Sequence, residues 1–280
     1  MTSPLDYLLI GHLTADLTPS GRLLGGTVSY AARVVNAFGL RGGILTSAAP
    51  GEPLLAELRP YTDHLTLLPG DSTSTFENVY TPAGRIQFIR GVAAKITAAD
   101  VPTAWLGTPL VHLAPLTDEV DPQIAHQFRD STVLLTLQGW LRRWENDGRV
   151  RFKRWFDPDV LQDIDIVVFS EEDIAEAPSL EQEFAGAVRH LFVTRAEHGG
   201  TYYFEGQPVD YSTPQVEVVH PTGAGDVFAA GLLASLPSLD YDYSRAVQVA
   251  AQLGAISVTR SGLASAPTAD EVQAALAAAG

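Results

Sequence analysis

The run His220-Pro221-Thr222-Gly223-Ala224-Gly225-Asp226 leads straight into an apolar segment at 227–236. Glycine lets a backbone take positive φ and lets an anion approach closely. The first turn of the helix that should follow has unpaired N–H groups and the positive end of the helix dipole. Such a turn can hold a phosphate. Asp226 is the anomaly, because a carboxylate repels a bound phosphate. It makes chemical sense as a general base facing an incoming hydroxyl. The plain alternative is an ordinary loop with an acidic first helical turn. A second signal is Gly25-Gly26-Thr27-Val28-Ser29-Tyr30, just before the first long helix. Two glycines there either admit a ligand to the backbone or simply make a loop. Asp16 sits upstream in a polar stretch. One carboxylate can accept two hydroxyl hydrogen bonds from a polyol, although a lone loop Asp is more often a solvated turn residue.

Other phosphate chemistries are absent. The only lysines are Lys95 and Lys153, and neither follows a glycine, so there is no Walker A loop. Val92-Ala93-Ala94-Lys95 mimics the lysine strand of protein kinases, but no His-Arg-Asp or Asp-Phe-Gly follows. Gly223-Ala224-Gly225 is not Gly-x-Gly-x-x-Gly and does not follow the first strand, so a dinucleotide site is unsupported. No His-Glu-x-x-His occurs.

The elements that must position these residues alternate. Strands are expected at 5–10, 43–48, 64–68, 110–114, 133–137, 164–169 and 191–194. Helices are expected at 29–38, ending on Gly39, and at 53–58, 122–128, 171–177, 181–190, 224–236, 245–257 and 269–278. The segment 11–22 reads as loop or edge strand. Segments 73–80 and 85–91 alternate polar and apolar residues and read as a hairpin joined by Thr81-Pro82-Ala83-Gly84. Thr97 to Asp100 resembles a capping box. Segments 201–204 and 208–211 read as an antiparallel pair. The pattern predicts a doubly wound, mostly parallel α/β sheet with a small β appendage.

Composition narrows the classes. The 280 residues carry 18 basic and 33 acidic side chains, a net charge of −15. That field repels polyanions, so no nucleic-acid partner is expected. There are no cysteines, which removes disulfides, thiolate metal sites and cysteine nucleophiles. No secretory signal and no run long enough for a membrane span is visible, so a cytoplasmic soluble protein with no membrane partner is expected.

The two glycine signals together resemble the ribokinase (PfkB) family of carbohydrate and nucleoside kinases. The late family signature is Asp-Thr-x-Gly-Ala-Gly-Asp before an apolar helix, and Thr222 to Gly231 follow it closely. The early one is a glycine pair opening a helix, supplied by Gly25 and Gly26. A terminal Ala266-Pro267-Thr268 helix start also matches. The resemblance implies one ribokinase-like domain over 1–280, with lid strands at about 12–26 and 73–91. It implies transfer of the γ-phosphoryl group of ATP to a hydroxyl of a sugar, polyol or nucleoside, with magnesium bridging the phosphates. Asp226 would be the base, and Gly223, Ala224 and Gly225 would form the anion hole. Asp16, Gly25, Gly26, Tyr30 and Gln138 would meet the acceptor. Thr194, Gly199, Thr222 and Arg142 would meet the nucleotide. A homodimer through the lid strands is compatible with it.

Departures from the family pattern carry information. Tyr30 stands where the family usually has Asn, so ribose-like handling of the acceptor is not expected. Asn-x-x-Glu becomes Ser170-Glu171-Glu172-Asp173, with Asp173 keeping a carboxylate for an indirect role at the metal. His220 replaces an Asp that helps hold a monovalent cation, which puts potassium activation in doubt. Leu137-Gln138-Gly139-Trp140-Leu141-Arg142 replaces the usual Asp-x-Asn-x-x-Arg strand end. This set resembles a branch that includes inositol kinases. Arg142, Arg143, Arg149, Arg151, Lys153 and Arg154 read as a solvated loop, with Arg142 alone drawn toward phosphate. His12 reads as a hydrogen-bonded structural histidine rather than a substrate contact. The competing class is a sugar- or nucleotide-binding protein of the same fold without turnover.

Overall fold

A computed structural model describes residues 4–81 and 84–280. The Pro82-Ala83 tip expected for the hairpin lies outside the described residues. In chain order come β1 (Tyr7–Ile10), β2 (Thr14–Thr18), β3 (Gly21–Gly25), α1 (Thr27–Ala37), β4 (Gly42–Ala48), α2 (Leu55–Leu58) and β5 (His64–Pro69). Next are β6 (Thr75–Thr81), β7 (Gly84–Gly91), β8 (Leu110–Leu113), β9 (Thr132–Thr136), β10 (Arg142–Trp144) and β11 (Val150–Phe152). The second half holds α3 (Pro158–Leu161), β12 (Ile166–Ser170), α4 (Leu180–Ala187), β13 (His190–Thr194), β14 (Gly200–Phe204) and β15 (Gln207–Tyr211). Helices α5 (Ala224–Ser235), α6 (Tyr243–Ser257) and α7 (Ala269–Ala279) complete it.

Nine strands form the main sheet in the order β15-β14-β13-β12-β9-β8-β1-β4-β5. All pairings are parallel except β13 with β14 and β14 with β15. Both faces are covered, which explains why β1 reads as a continuous apolar run. Tyr7 and Leu9 point into a core shared with α1, α5, α6 and α7, while Leu8 and Ile10 point into the opposite core. The winding direction reverses at β1, between β4 and β8. Open α/β sheets bind ligands at the carboxyl ends of the strands beside such a reversal. Helix α5 is buried from Val227 to Ser235, as its near-uniform apolarity requires. Packed between sheet and α6, it drives its N-terminus toward that reversal.

A second sheet, in the order β3-β2-β6-β7, stands apart. Its base is tied down by His12, which is fully buried. The His12 ring meets Ser74 Oγ at 2.7 Å through Nδ1 and the Ala94 carbonyl at 2.8 Å through Nε2. A carbonyl only accepts, so Nε2 carries the proton and Nδ1 accepts from the serine. His12 is therefore a structural residue, as the sequence indicates. Buried Glu119, unnoticed in the sequence, accepts the backbone N–H groups of His12, Leu116 and Thr117.

Several expected elements differ. The helix at 122–128 is a 3₁₀ helix, Pro122–Gln127, opened by an Asp121 cap. No helix forms at 171–177, because Asp173 folds back to accept the Ser170 N–H and Ser170 Oγ accepts from the Glu172 N–H. These local bonds compete with helix. Helix α4 ends at Ala187, and His190 begins β13 instead. The helix at 53–58 shrinks to α2 before a 3₁₀ turn at Arg59–Tyr61 containing Pro60. The basic loop at 142–154 is instead the hairpin of β10 and β11. Its alternation was masked by its charge.

Two buried histidines set an acid limit. Burial pushes His112 down to about 3 and His190 down to about 4. His112 accepts from the Tyr7 hydroxyl at 3.1 Å, and His190 Nδ1 pairs with the Tyr202 hydroxyl at 2.8 Å. Both bind a proton in the unfolded chain near pH 6.5 but not in the fold. Stability is therefore expected to fall as pH drops from about 6.5 toward 4, each histidine contributing up to about 1.4 kcal/mol per pH unit. Urea midpoints across that range test this. A flat profile would contradict it.

Candidate active site

Two helix N-termini converge at the carboxyl ends of the central strands. Gly26, with φ 87°, opens α1, and Gly223, with φ 90°, opens α5. A side chain at Gly26 would press on the His12 carbonyl and Thr14 Oγ1, each 3.1 Å away. At Gly223 a Cβ would collide with the ring of Tyr30. Both positions thus need glycine for conformation and for space. From the first turn of α1, Thr27 Oγ1 donates at 2.7 Å to Asp226 Oδ1 in the first turn of α5. The positive ends of the two helix dipoles point into this corner, where they act on the Asp226, Asp16 and Asp173 carboxylates.

Asp226 is partly buried. Burial raises its carboxyl to about 6, opposed by the Thr27 hydrogen bond and the Arg142 charge and reinforced by Asp173 and Asp16. A carboxylate tuned toward neutrality suits a proton acceptor. The N–H groups expected to form an anion hole are not equivalent. The Ala224 N–H already donates to the Pro221 carbonyl at 3.3 Å. Gly225 and Asp226 precede the first residues with intrahelical acceptors, and Gly225 faces open space.

The other expected residues divide by location. Asp16 projects from β2 over Gly25, whose missing side chain leaves room for the carboxylate. Tyr30 is buried with its ring under Gly223, so it contacts the turn itself. Burial, with Asp226 and Asp16 nearby, pushes its phenol far up and keeps it neutral. Gln138 donates to Asp173 Oδ1 at 2.9 Å, while Asp173 Oδ2 holds the Ser170 N–H at 3.0 Å. Arg142 lies over the Phe76 ring, 5.8 Å from its centroid, and donates to the Leu116 carbonyl at 3.4 Å. Thr194 ends β13, and its turn closes when the Arg195 N–H meets the Gly199 carbonyl at 2.8 Å. Gly199, with φ 81°, runs so close to the Tyr211 carbonyl that no side chain fits. Thr222 donates its N–H to His220 Nδ1 at 3.3 Å. Next to Gly199, through its neighbour Tyr211, lies a cleft of about 580 Å³ lined by residues including Ser212, Thr213, Val247, Gln248 and Ala251.

Sequence reasoning missed further residues of the second sheet. Asp16 stands opposite Leu23 on β3 and Phe76 on β6, and Asn78 stands opposite Gln87. Cross-strand partners share a face, and that face alternates along each strand. The face bearing Asp16 therefore also presents Leu23, Phe76, Asn78 and Gln87. The Gln87 amide donates to Asn78 Oδ1 at 3.1 Å. Period-two alternation from Asp16 could have identified the strand faces, but not the register that joins them.

Known proteins resemble this chain throughout its length. A family model described as pfkB family carbohydrate kinase matches residues 159–269. The cytidine kinase of Thermococcus kodakarensis is 24% identical over 273 residues, spanning 89% of this chain and 93% of that protein. The inositol 3-kinase of Zea mays is 26% identical over 255 residues, spanning 83% of this chain and 66% of that protein. A pyrophosphate-dependent kinase in the ribokinase family, solved with a pyrophosphate analog and myo-inositol, superposes with a TM-score of 0.79 at 20% identity, covering 96% of this chain and 99% of its own. The ribokinase of Thermotoga maritima superposes with a TM-score of 0.77 at 18% identity, covering 98% and 99%. These structures establish a ribokinase fold.

Proposed function

We propose that this chain, whose residues 159–269 match the pfkB family carbohydrate kinase model and whose relatives include named kinases, is a phosphotransferase with an alcohol group as acceptor, and that its own residues run the reaction as follows. The acceptor is a small sugar, polyol or nucleoside and the donor is ATP. The acceptor hydroxyl gives its proton to Asp226. Its oxygen then forms a bond to the γ-phosphorus, and the bond to the β-phosphate oxygen breaks, with ADP leaving on that electron pair. In the Gly223–Gly225 turn the Ala224 N–H is tied to the Pro221 carbonyl, so the open Gly225 N–H leads the anion hole, and the two helix dipoles oppose the charge on the transferring group. The observation that carries this reading is Asp226 held by Thr27 between two helix N-termini, with Asp16 and Arg142 acting on it.

Asp16, Gly25 and Gly26 face the acceptor, with Tyr30 setting the floor of the turn and Gln138 holding Asp173 in place. The second sheet acts as a lid that keeps water, a competing acceptor, away. Thr194, Gly199 and Thr222 stand on the donor side with Arg142. In this reading the cleft lined by Val247 and Ala251 receives the base of the nucleotide donor. Among the described residues no group of three or more His, Asp or Glu side chains gathers as a metal cage. Asp173 would be the residue with an indirect role toward a magnesium ion brought in with the donor, and such an ion would supply neutralising charge to the transferring phosphate.

The chain's location and assembly belong to the same reading. No helix of the described residues is long and apolar enough to cross a membrane, and we place the reaction in the cytoplasm, where ATP is available. Leu17, Val79, Ile86 and Phe88 share the outer lid face by register, and Leu17 and Val79 are exposed. That stripe fits a homodimer, which sedimentation would test, a monomer at working concentration ruling it out. The deciding assay follows ADP release across sugars, inositols and nucleosides, with pyrophosphate as a second donor. Acceptor-dependent release is expected with ATP. Ligand-induced melting shifts without release from any acceptor would support the binding protein instead.

A further inference from the structure

The hairpin of β10 and β11 is seated on the outer strand of the lid. Phe88 of β7 and Arg149 form an antiparallel bridge. The Ile89 N–H donates to the Gly148 carbonyl at 2.8 Å, and Arg90 Nη1 donates to the Asp147 carbonyl at 3.1 Å. Gly148 has φ 85°, and a side chain there would collide with the Ile89 carbonyl oxygen. The seat is therefore built for glycine. Beneath it, Val150 of β11 packs against a small core of Phe76, Ile89 and Leu116. Three of these four contact residues also bear on Arg142 or its strand. Arg142 begins β10, lies over Phe76 and donates to the Leu116 carbonyl. The hairpin's far end is anchored separately, with the Lys153 N–H on the Leu141 carbonyl and Lys153 Nζ on Asp118, both at 2.7 Å.

One end of a short, two-stranded unit thus grips the lid edge, and the other end carries Arg142, whose charge acts on Asp226. We propose that the 142–152 hairpin is a positioning element: its Gly148 turn, seated on β7, fixes where the Arg142 guanidinium stands relative to Asp226 and the lid residue Phe76. Gly148 touches no reacting atom and acts only through Arg142. A hairpin this short has little independent stability, so its pose depends on the seat. Misplacement of a charged group by even about 1 Å costs rate steeply, on the order of 10²-fold. The proposal rests on the kinase reading above.

The test is a double-mutant cycle on the full chain with ATP and its best acceptor. Arg142→Gln is expected to lower kcat by about 30- to 100-fold, and Gly148→Ala by about tenfold with a smaller change in KM for the acceptor. The double variant should fall no more than about twofold below Arg142→Gln, since the seat has nothing left to position. Simple destabilisation would instead multiply the two losses. Should Gly148→Ala not fold, Arg90→Met at its exposed site removes the side-chain tie to Asp147, with a loss of about two- to threefold expected. Multiplying losses, or unchanged kcat in the seat variants, would overturn the proposal while leaving the kinase reading intact. An inactive wild type would remove both.

Discussion

Asparagine at position 226 is expected to lower kcat by about 10²- to 10⁴-fold and, in the same protein, to raise the melting temperature. The rate loss follows from removing the group proposed to take the acceptor's proton. The gain in stability follows from the sign of the carboxyl's shift. Burial raises Asp226 to about 6 in the fold, against about 3.9 in an unfolded chain. The folded state thus binds more protons between those values, and stability falls as pH rises through that window. At neutral pH the charge costs roughly 1–2 kcal/mol after allowance for partial exposure. Asparagine removes the charge, yet its Oδ1 can still accept from the Thr27 hydroxyl. For the wild type, kcat/KM for the acceptor should fall on the acid side with a midpoint near 6, since a protonated carboxyl would not serve as the proposed base. Thermal melts and an ADP-release pH profile check both halves. Asp226→Asn that melts lower than wild type, or keeps its rate, would refute the assignment.

Alanine at position 223 should be far more damaging than alanine at position 225, although the two glycines are separated by one residue. Gly223 has φ 90° and would drive a Cβ into the Tyr30 ring, while nothing lies within 4 Å of a Cβ at Gly225. The left-handed conformation alone costs a non-glycine residue about 1–2 kcal/mol, and Tyr30 is buried and has little room to retreat. Gly223→Ala is therefore expected to lose about 2–4 kcal/mol of stability and most activity. Gly225→Ala should keep wild-type stability and instead raise KM for the donor, because the added methyl would enter the open space proposed for the donor phosphates. Urea midpoints beside steady-state kinetics separate the two. Equal stability losses would mean that the Tyr30 contact does not govern the turn.

Much of this architecture is legible in the residues. The apolar runs of β1, β4, β8 and β12 mark strands buried on both faces, and α5 announces itself by being apolar all round. The errors have local causes. Asp173 and Ser170 spend their side chains on nearby backbone and so prevent the helix expected after β12. The 142–152 hairpin hides its alternation under arginines, because its exposed face and its lid contacts both tolerate charge.

The chemistry that the motifs permit is written in the chain: a carboxylate at the mouth of a glycine turn, a second glycine pair opening a helix, and no lysine available to a phosphate loop. Those properties reside in residue type and short spacing, where backbone conformation and helix polarity act locally. Which distant residues meet is set on folding. Thr27 and Asp226 are 199 positions apart and share one hydrogen bond. Tyr30 underlies Gly223, and Gly148 grips β7 to hold Arg142. Such meetings depend on strand register and on how the two helix N-termini pack around the reversal at β1. No local pattern encodes them, because each is fixed by burial of surfaces that become neighbours only on folding.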